Sequence, residues 1–104
     1  MTYGFAALAD PMRQQIIERL AVRARSVAEL AAEMPVTRPA VSQHLKVLKQ
    51  AGLVRDRPEG TRRIYRIDRA GLHQLRSWLD RFWDDTLDAY AQAIDDLDEE
   101  DPKP

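Results

Sequence analysis

The first quarter of the chain carries clear signals for the start of helices. Asp10 is a good N-cap, and Pro11 follows it at the first helical position, where the missing N–H of proline is tolerated. Apolar residues then recur at helical spacing, which predicts an amphipathic helix from Pro11 to about Val22. The apolar pattern of residues 5–9 predicts a shorter helix before it.

Two more helices are predicted between residues 26 and 52. Ser26 and Glu29 have the spacing of a capping box, which opens a short helix that Pro35 ends. Thr37 is the next N-cap, and Gly52 is well placed as the left-handed residue that ends the helix after it. Because only a tight turn separates the two helices, they form a helix-turn-helix unit.

The hydrophobic period changes after Gly52. Residues 53–57 and 63–67 read as two short strands, and residues 58–61 between them supply turn chemistry, which predicts a β-hairpin. Asp68 then caps a long final helix, with apolar positions that lie mostly three or four residues apart. These positions form one stripe along it: Leu72, Leu75, Leu79, Phe82, Trp83, Leu87, Tyr90, Ile94 and Leu97.

The predicted order is four helices, a β-hairpin and a long final helix, which is the order of a winged helix-turn-helix. The fold class is therefore mainly α with a β-hairpin wing (α+β). No internal repeat or linker interrupts the pattern, so we expect one domain over residues 1–97. Residues 98–104 are acidic and contain two prolines, and we expect them to form a frayed tail.

Composition excludes several classes of protein. The chain has 104 residues, which is enough for one domain with a modest core. It has no cysteine, which excludes a disulfide framework, a thiolate zinc site and a cysteine nucleophile. No apolar run approaches the roughly 20 residues that span a bilayer, and the N-terminus lacks a basic segment followed by an apolar one. We therefore expect a cytoplasmic protein with no membrane partner.

The net charge of −1 hides a strong segregation of charge along the chain. Residues 36–69 hold nine basic and three acidic residues, a net charge of +6, whereas residues 80–104 hold two basic and ten acidic residues, a net charge of −8. A basic middle third is typical of a protein with a polyanionic partner, and a merely solvated surface is the alternative.

The helix after Thr37 separates into an apolar and a polar face at about 100° per residue. Val41, Leu45 and Leu48 share the apolar face. The polar face has short hydrogen-bonding groups near its N-terminal end and cations further along, as a helix in the major groove of DNA requires. Gln43 could pair with adenine, Arg38 with guanine, and Ser42 with a base or a phosphate. The candidate contacts of this helix are Thr37, Arg38, Ser42, Gln43, His44 and Lys46.

The role of His44 and the role of the wing each have two possible interpretations. His44 lies beside Leu48 on the helical wheel, so it is either a residue at the edge of the core or a base contact. The wing has Thr61, Arg62 and Arg63 directly after its turn, which suits contact with phosphates or with the minor groove. The alternative is a cationic hairpin that stays soluble and resists pairing at its edge.

The segments ALADPMRQQIIERL (residues 7–20), PAVSQHLKVLKQAGLV (39–54) and EGTRRIYRI (59–67) resemble the ArsR family of bacterial winged-helix repressors. The resemblance covers residues 5–95, and Ser42 to Leu45 is its most specific part. It implies a homodimer that binds double-stranded DNA at an inverted repeat and represses transcription, and it favours His44 as a DNA contact. It also implies dimerisation through the first and last helices, with these candidate residues: Phe5, Leu8, Leu72, Leu75, Leu79, Phe82, Trp83, Leu87 and Tyr90.

The chain departs from the metal-sensing members of that family. Where they carry a Cys-Xaa-Cys pair, residues 26–30 offer no thiol. Where others carry paired donors on the last helix, this chain has Gly71 and His73, then Asp84 and Leu87. Zinc requires three or four converging donors. The sequence therefore resembles the metal-independent branch, and we expect no metal and no cofactor.

Two other classes of function compete with a DNA-binding repressor. The apolar stripe of the last helix could instead bind a different protein, which would make this chain a winged-helix interaction module. An enzyme is not expected, because no paired-carboxylate pocket, phosphate loop or nucleophile with its base is visible.

Overall fold

The computed structural model describes the backbone of residues 2–100 and the side chains of residues 4–97. Over this range it contains five helices and three strands. In chain order they are α1 (Thr2–Ala7), α2 (Pro11–Val22), β1 (Arg25–Ser26), α3 (Val27–Glu33), α4 (Arg38–Gln50), β2 (Val54–Glu59), β3 (Arg62–Ile67) and α5 (Arg69–Glu100). The mainly α fold with a hairpin wing is confirmed.

The predicted N-caps all form. Asp10 Oδ1 accepts hydrogen bonds from the backbone N–H groups of Met12 (2.8 Å) and Arg13 (3.2 Å). Ser26 and Glu29 form the complete capping box, with bonds of 3.0 and 3.2 Å. Thr37 Oγ1 accepts from the N–H of Ala40 at 3.3 Å. These bonds satisfy N–H groups that have no partner inside the helix, so local chemistry fixes where α2, α3 and α4 begin.

The sheet differs from the prediction in two respects. It has a third strand, since the short β1 pairs antiparallel with β3 in the order β1-β3-β2. The hairpin turn is also shorter than residues 58–61, because Glu59 still pairs with Arg62 and only two residues connect the strands. Gly60, with φ of 64°, supplies the left-handed conformation that such a turn needs. Pro58 is tolerated within β2 because β2 is an edge strand.

The hydrophobic core lies where α2, α3, α4 and the base of the hairpin meet. Its largest fully buried side chains are Ile16, Leu30, Val41, Leu45, Leu48, Leu53 and Val54. They include the apolar face that was predicted for α4. The core therefore holds the helix-turn-helix and the wing as one unit.

A buried arginine, which the sequence pattern did not indicate, supports the turn between α2 and α3. Arg25 is 7% exposed, and its Nε lies 2.7 Å from Glu33 Oε2. Its Nη1 donates to the backbone carbonyls of Arg23 (3.1 Å) and Arg19. A buried charge is costly unless it is paired in this way. Arg25 therefore ties β1 to the helices on either side of it.

Helix α5 has two dissimilar parts. At its start, Asp68 Oδ1 accepts from the N–H of Ala70 at 3.1 Å, and Leu72 and Leu75 pack against the core. From Trp78 onward every large apolar side chain described is exposed. The helix continues to Glu100, three residues past the predicted domain boundary at residue 97, and residues 101–104 of the predicted tail lie outside the described residues.

Within the described part of the chain, no helix is both long enough and apolar enough to span a bilayer.

Candidate DNA-binding face

The polar face of α4 is exposed as the sequence predicts. Val41, Leu45 and Leu48 have no exposed surface, which fixes the rotation of the helix about its axis. The opposite face is therefore turned outward, and it carries these exposed residues: Arg38, Ser42, Gln43, Lys46, Lys49 and Gln50. Burial of the apolar face is thus what presents the candidate base contacts to a partner.

The start of α4 and the wing line the same groove. A groove of about 360 Å³ is lined by Arg38 and Ser42 from α4, by Arg62, Arg63 and Tyr65 from β3, and by Ser26, Val27 and Ala28 at the start of α3. Four of the nine predicted DNA contacts therefore surround one concave surface. Gln43, Lys46 and Thr61 are exposed but do not line this groove.

The two arginines of the wing have different neighbours. Arg62 Nη1 lies 3.8 Å from Glu29 Oε1, a loose ion pair. Arg63 Nε donates a 2.6 Å hydrogen bond to Asp56 Oδ2, and this bond raises the pKa of Arg63. Both side chains remain more than half exposed, at 55% and 53%. Each is therefore still accessible to a phosphate.

His44 lies at the edge of the core. Its ring is half-buried, and its Nδ1 is buried without a hydrogen-bond partner among the described residues. Part of the ring is therefore exposed on α4, while its Nδ1 is turned into the protein.

The wing contains an acidic residue that was not among the predicted site residues. The Asp56 carboxylate contacts both Lys49 of α4 and Arg63 of β3. The sequence holds a signal for it, since Asp56 stands between Arg55 and Arg57. Alternation along a strand places it on the opposite face from these two arginines.

The predicted dimer residues fall into two groups. Leu8, Leu72 and Leu75 pack against the core of their own chain. The others are exposed: Phe5, Leu79, Phe82, Trp83, Leu87 and Tyr90. Trp78 belongs with the second group although it was not predicted. Its ring stacks on Phe82 (centroids 5.3 Å apart) and meets Phe5 edge-on (5.1 Å).

A recognition helix with an exposed polar face, flanked by a basic hairpin, defines a winged helix-turn-helix protein of the DNA-binding class. Comparison with known proteins agrees. Residues 10–56 match the family model for bacterial regulatory proteins of the arsR family. The HTH-type transcriptional regulator Rv2034 of Mycobacterium tuberculosis is 62% identical over 92 residues, which cover 88% of this chain and 86% of that protein.

Solved structures show the same architecture. One, a possible transcriptional regulator for arsenical resistance, is 41% identical with a TM-score of 0.73, and the match covers 89% of this chain and 96% of that one. Another is the homodimeric winged helix-turn-helix DNA-binding domain of Mb0332 from Mycobacterium bovis, a possible ArsR-family regulator. It is 33% identical with a TM-score of 0.66, and the match covers 85% of this chain and 82% of that one.

The chain belongs to the ArsR family. It is a DNA-binding transcriptional regulator and not an enzyme. The fold and function that the sequence predicted are confirmed at this level.

Proposed function

We propose that this protein is a cytoplasmic, homodimeric repressor that binds an inverted-repeat operator without a metal cofactor. The observation that carries the proposal is the groove in which Arg38 and Ser42 of α4 face Arg62 and Arg63 of the wing. Base-reading groups at the start of the helix and cations on the hairpin are combined in one surface. In protein–DNA complexes, contacts to bases specify the sequence and contacts to phosphates position the protein.

Each predicted contact has a separate role in this proposal. Ser42 and Gln43 read base edges, and Arg38 reads guanine. Lys46, Thr37 and Thr61 bind phosphates, and Arg62 and Arg63 bind phosphates or the minor groove. His44 would contribute only through the part of its ring that is exposed.

Dimerisation is proposed from the exposed stripe of α5. Phe82, Trp83, Leu87 and Tyr90 are between 45% and 65% exposed, and they lie on one helix within a small domain. An apolar surface of this kind marks an interaction site, and a two-fold contact with a second copy is the commonest way to bury it. A dimer would also place two recognition helices on two half-sites.

We propose that no metal controls the protein because, over the described range, its potential metal-binding side chains are not grouped. Among the residues that the structure describes, no group of three or more His, Asp or Glu side chains is arranged to hold a metal ion. His44 and His73 lie on different helices. If a metal controlled the protein, stoichiometric zinc would bind tightly in calorimetry and would change its affinity for DNA. We expect neither effect, and chelator should also leave the affinity unchanged.

The test is footprinting of the purified protein on the DNA that flanks its own gene. We expect a protected inverted repeat. Ser42→Ala and Gln43→Ala should each relax the preference for that sequence, because a base contact contributes about 1–3 kcal/mol of discrimination. Uniform binding along the fragment, with no protected site, would contradict the proposal.

A further inference from the structure

A single carboxylate connects the recognition helix to the wing. Asp56 lies on β2, and its side chain is 4% exposed. Its Oδ1 lies 2.8 Å from Lys49 Nζ on α4, and its Oδ2 accepts the 2.6 Å hydrogen bond from Arg63 Nε on β3. Among the described side chains, this is the only ion pair or hydrogen bond that joins α4 to the hairpin.

Charge and hydrogen bonding both favour this contact. Both carboxylate oxygens have a charged partner, which offsets the cost of burying the charge. Lys49 and then Arg63 lower the pKa of Asp56, so it remains ionised at neutral pH. Arg63 uses its Nε for this contact and makes no hydrogen bond through Nη1 or Nη2 within the described chain.

The two cations are therefore held in different ways. Asp56 takes one of the three N–H donors of the Lys49 ammonium and offsets its charge, so Lys49 contributes less than an unpaired lysine to the attraction for phosphates. Arg63 is held at one nitrogen and keeps the rest of its guanidinium for a ligand. The local charge of the three groups is +1, whereas it would be +2 without the carboxylate.

We propose that Asp56 is a positioning residue that sets the discrimination between operator and other DNA. It fixes the wing and Arg63 relative to α4, and it weakens the attraction of Lys49 for phosphates. The inference rests on the proposed function, since it concerns how the same surface chooses between DNA sequences. A positioning residue of this kind affects specificity more than total affinity.

The test compares Asp56→Asn with wild type on two probes by fluorescence anisotropy at several salt concentrations. One probe is the fragment that contains the protected site upstream of the gene, and the other has the same length and composition with a scrambled sequence. The amide keeps the shape of the side chain and removes its charge. Lys49 is then released, so affinity for the scrambled probe should rise and its salt slope should steepen by about one. The ratio of the two affinities should fall about tenfold, the effect of one base contact.

Asp88→Asn is the matched control. It changes the net charge by the same amount on the exposed surface of α5. It should leave the affinity ratio and the salt slope at the wild-type values. An equal effect of both variants would mean that only net charge matters, and would overturn the proposal.

A second pair of variants keeps the test decisive even if Asp56→Asn does not fold, which thermal melting will show. Lys46→Gln and Lys49→Gln remove equivalent cations from the exposed face of α4. Lys46→Gln should make the salt slope shallower by about one. Lys49→Gln should reduce the slope by clearly less than Lys46→Gln does and still lower the affinity ratio, because it breaks the link to Asp56. If Lys49→Gln reduces the slope as much as Lys46→Gln does, Lys49 binds phosphate and the proposal is wrong.

The proposed function and the role of Asp56 can fail separately. If the wild-type protein protects no sequence in footprinting, the proposed function is wrong, and the role of Asp56 that depends on it is wrong as well. If wild type protects an operator and folded Asp56→Asn has the same affinity ratio and salt slope, only the role of Asp56 is disproved.

Discussion

Gly71, in the first turn of α5, lies directly against Gly52, which follows the end of α4. A Cβ atom on Gly71 would overlap the carbonyl oxygen of Gly52 and would lie 2.7 Å from its carbonyl carbon. Gly52 itself has φ of 78°, a conformation that favours glycine. The two glycines thus allow α5 to pass close to the end of the recognition helix.

Gly71→Ala should therefore destabilise the protein. Helix propensity alone predicts a gain of up to about 1 kcal/mol for this change. The steric contact is with backbone, which cannot rotate away, and such overpacking costs about 1–3 kcal/mol or more. These figures give a net loss of up to about 2 kcal/mol in the free energy of unfolding, measured with urea. Unchanged or increased stability would show that α5 can shift at no cost.

Gly60→Ala serves as a control for that experiment. Gly60 has φ of 64°, and a Cβ added to it would meet no atom within 4 Å, so only the backbone conformation opposes the change. The cost should be about 1–2 kcal/mol, and DNA affinity should change little because the turn keeps its length.

Removal of both wing arginines should weaken binding to all DNA sequences. We expect Arg62→Ala with Arg63→Ala to make the salt slope shallower by about one for each phosphate that the variant no longer binds. Arg62 should account for more of the change in slope, because its ion pair is 3.8 Å long whereas that of Arg63 is 2.6 Å. Anisotropy titrations of the single and double variants measure both effects. A double variant with wild-type affinity and slope would disprove the wing assignment.

A charge in the apolar stripe of α5 should abolish self-association. Leu79→Lys would place an ammonium group where we propose that a second copy packs, and desolvation of that charge opposes the contact. Sedimentation at micromolar concentration should show a dimer for wild type and a monomer for the variant, which should also lose operator binding.

Gln92→Lys is the control for Leu79→Lys. It adds the same group to the same helix at an exposed position, four residues from Asp96, with which Gln92 already forms a 3.1 Å hydrogen bond. It should sediment as a dimer. A wild-type monomer that binds its operator with full affinity would refute the dimer model.

Stability should fall at acid pH. The pKa of Asp56 is lowered by its bonds to Lys49 and Arg63, and the pKa of Glu29 is lowered chiefly by the backbone N–H of Ser26. A carboxylate with a lowered pKa stabilises the fold above its unfolded value, and this contribution disappears as the pH falls through the lower, folded value. The ordinary values of 3.8 and 4.5 place the decline below about pH 4.5.

Thermal melting from pH 7 to pH 3 measures this decline. The difference in melting temperature between wild type and Asp56→Asn should be constant near neutral pH and should shrink below about pH 4. A difference that does not depend on pH would mean that the charge of Asp56 does not stabilise the fold.

The starts of α2, α3 and α4 could be predicted because each depends on a side chain and an N–H group two or three residues away. The apolar face of α4 was predictable for a similar reason, since its period is local. The strand β1 was not, because two residues form a strand only where β3 lies beside them. The ion pairs of Arg25 and Asp56 also depend on partners brought together by folding. Trp78 lies three residues after Leu75 and four before Phe82, so helical spacing alone could have added it to the stripe. Only its contact with Phe5 of α1 depends on folding.

The order of charges along α5 has a consequence for any pairing through its apolar stripe. Arginines occur only in the first part of the helix, at positions 69, 76 and 81, whereas residues 82–100 contain eight acidic residues and no basic ones. Two such helices placed side by side in the same direction would bring acid against acid and would align their dipoles unfavourably. Placed in opposite directions, each acidic half meets the arginines of its neighbour. The charges of α5 therefore favour antiparallel over parallel pairing of two copies. The preference is strongest at low salt, where charges are least screened.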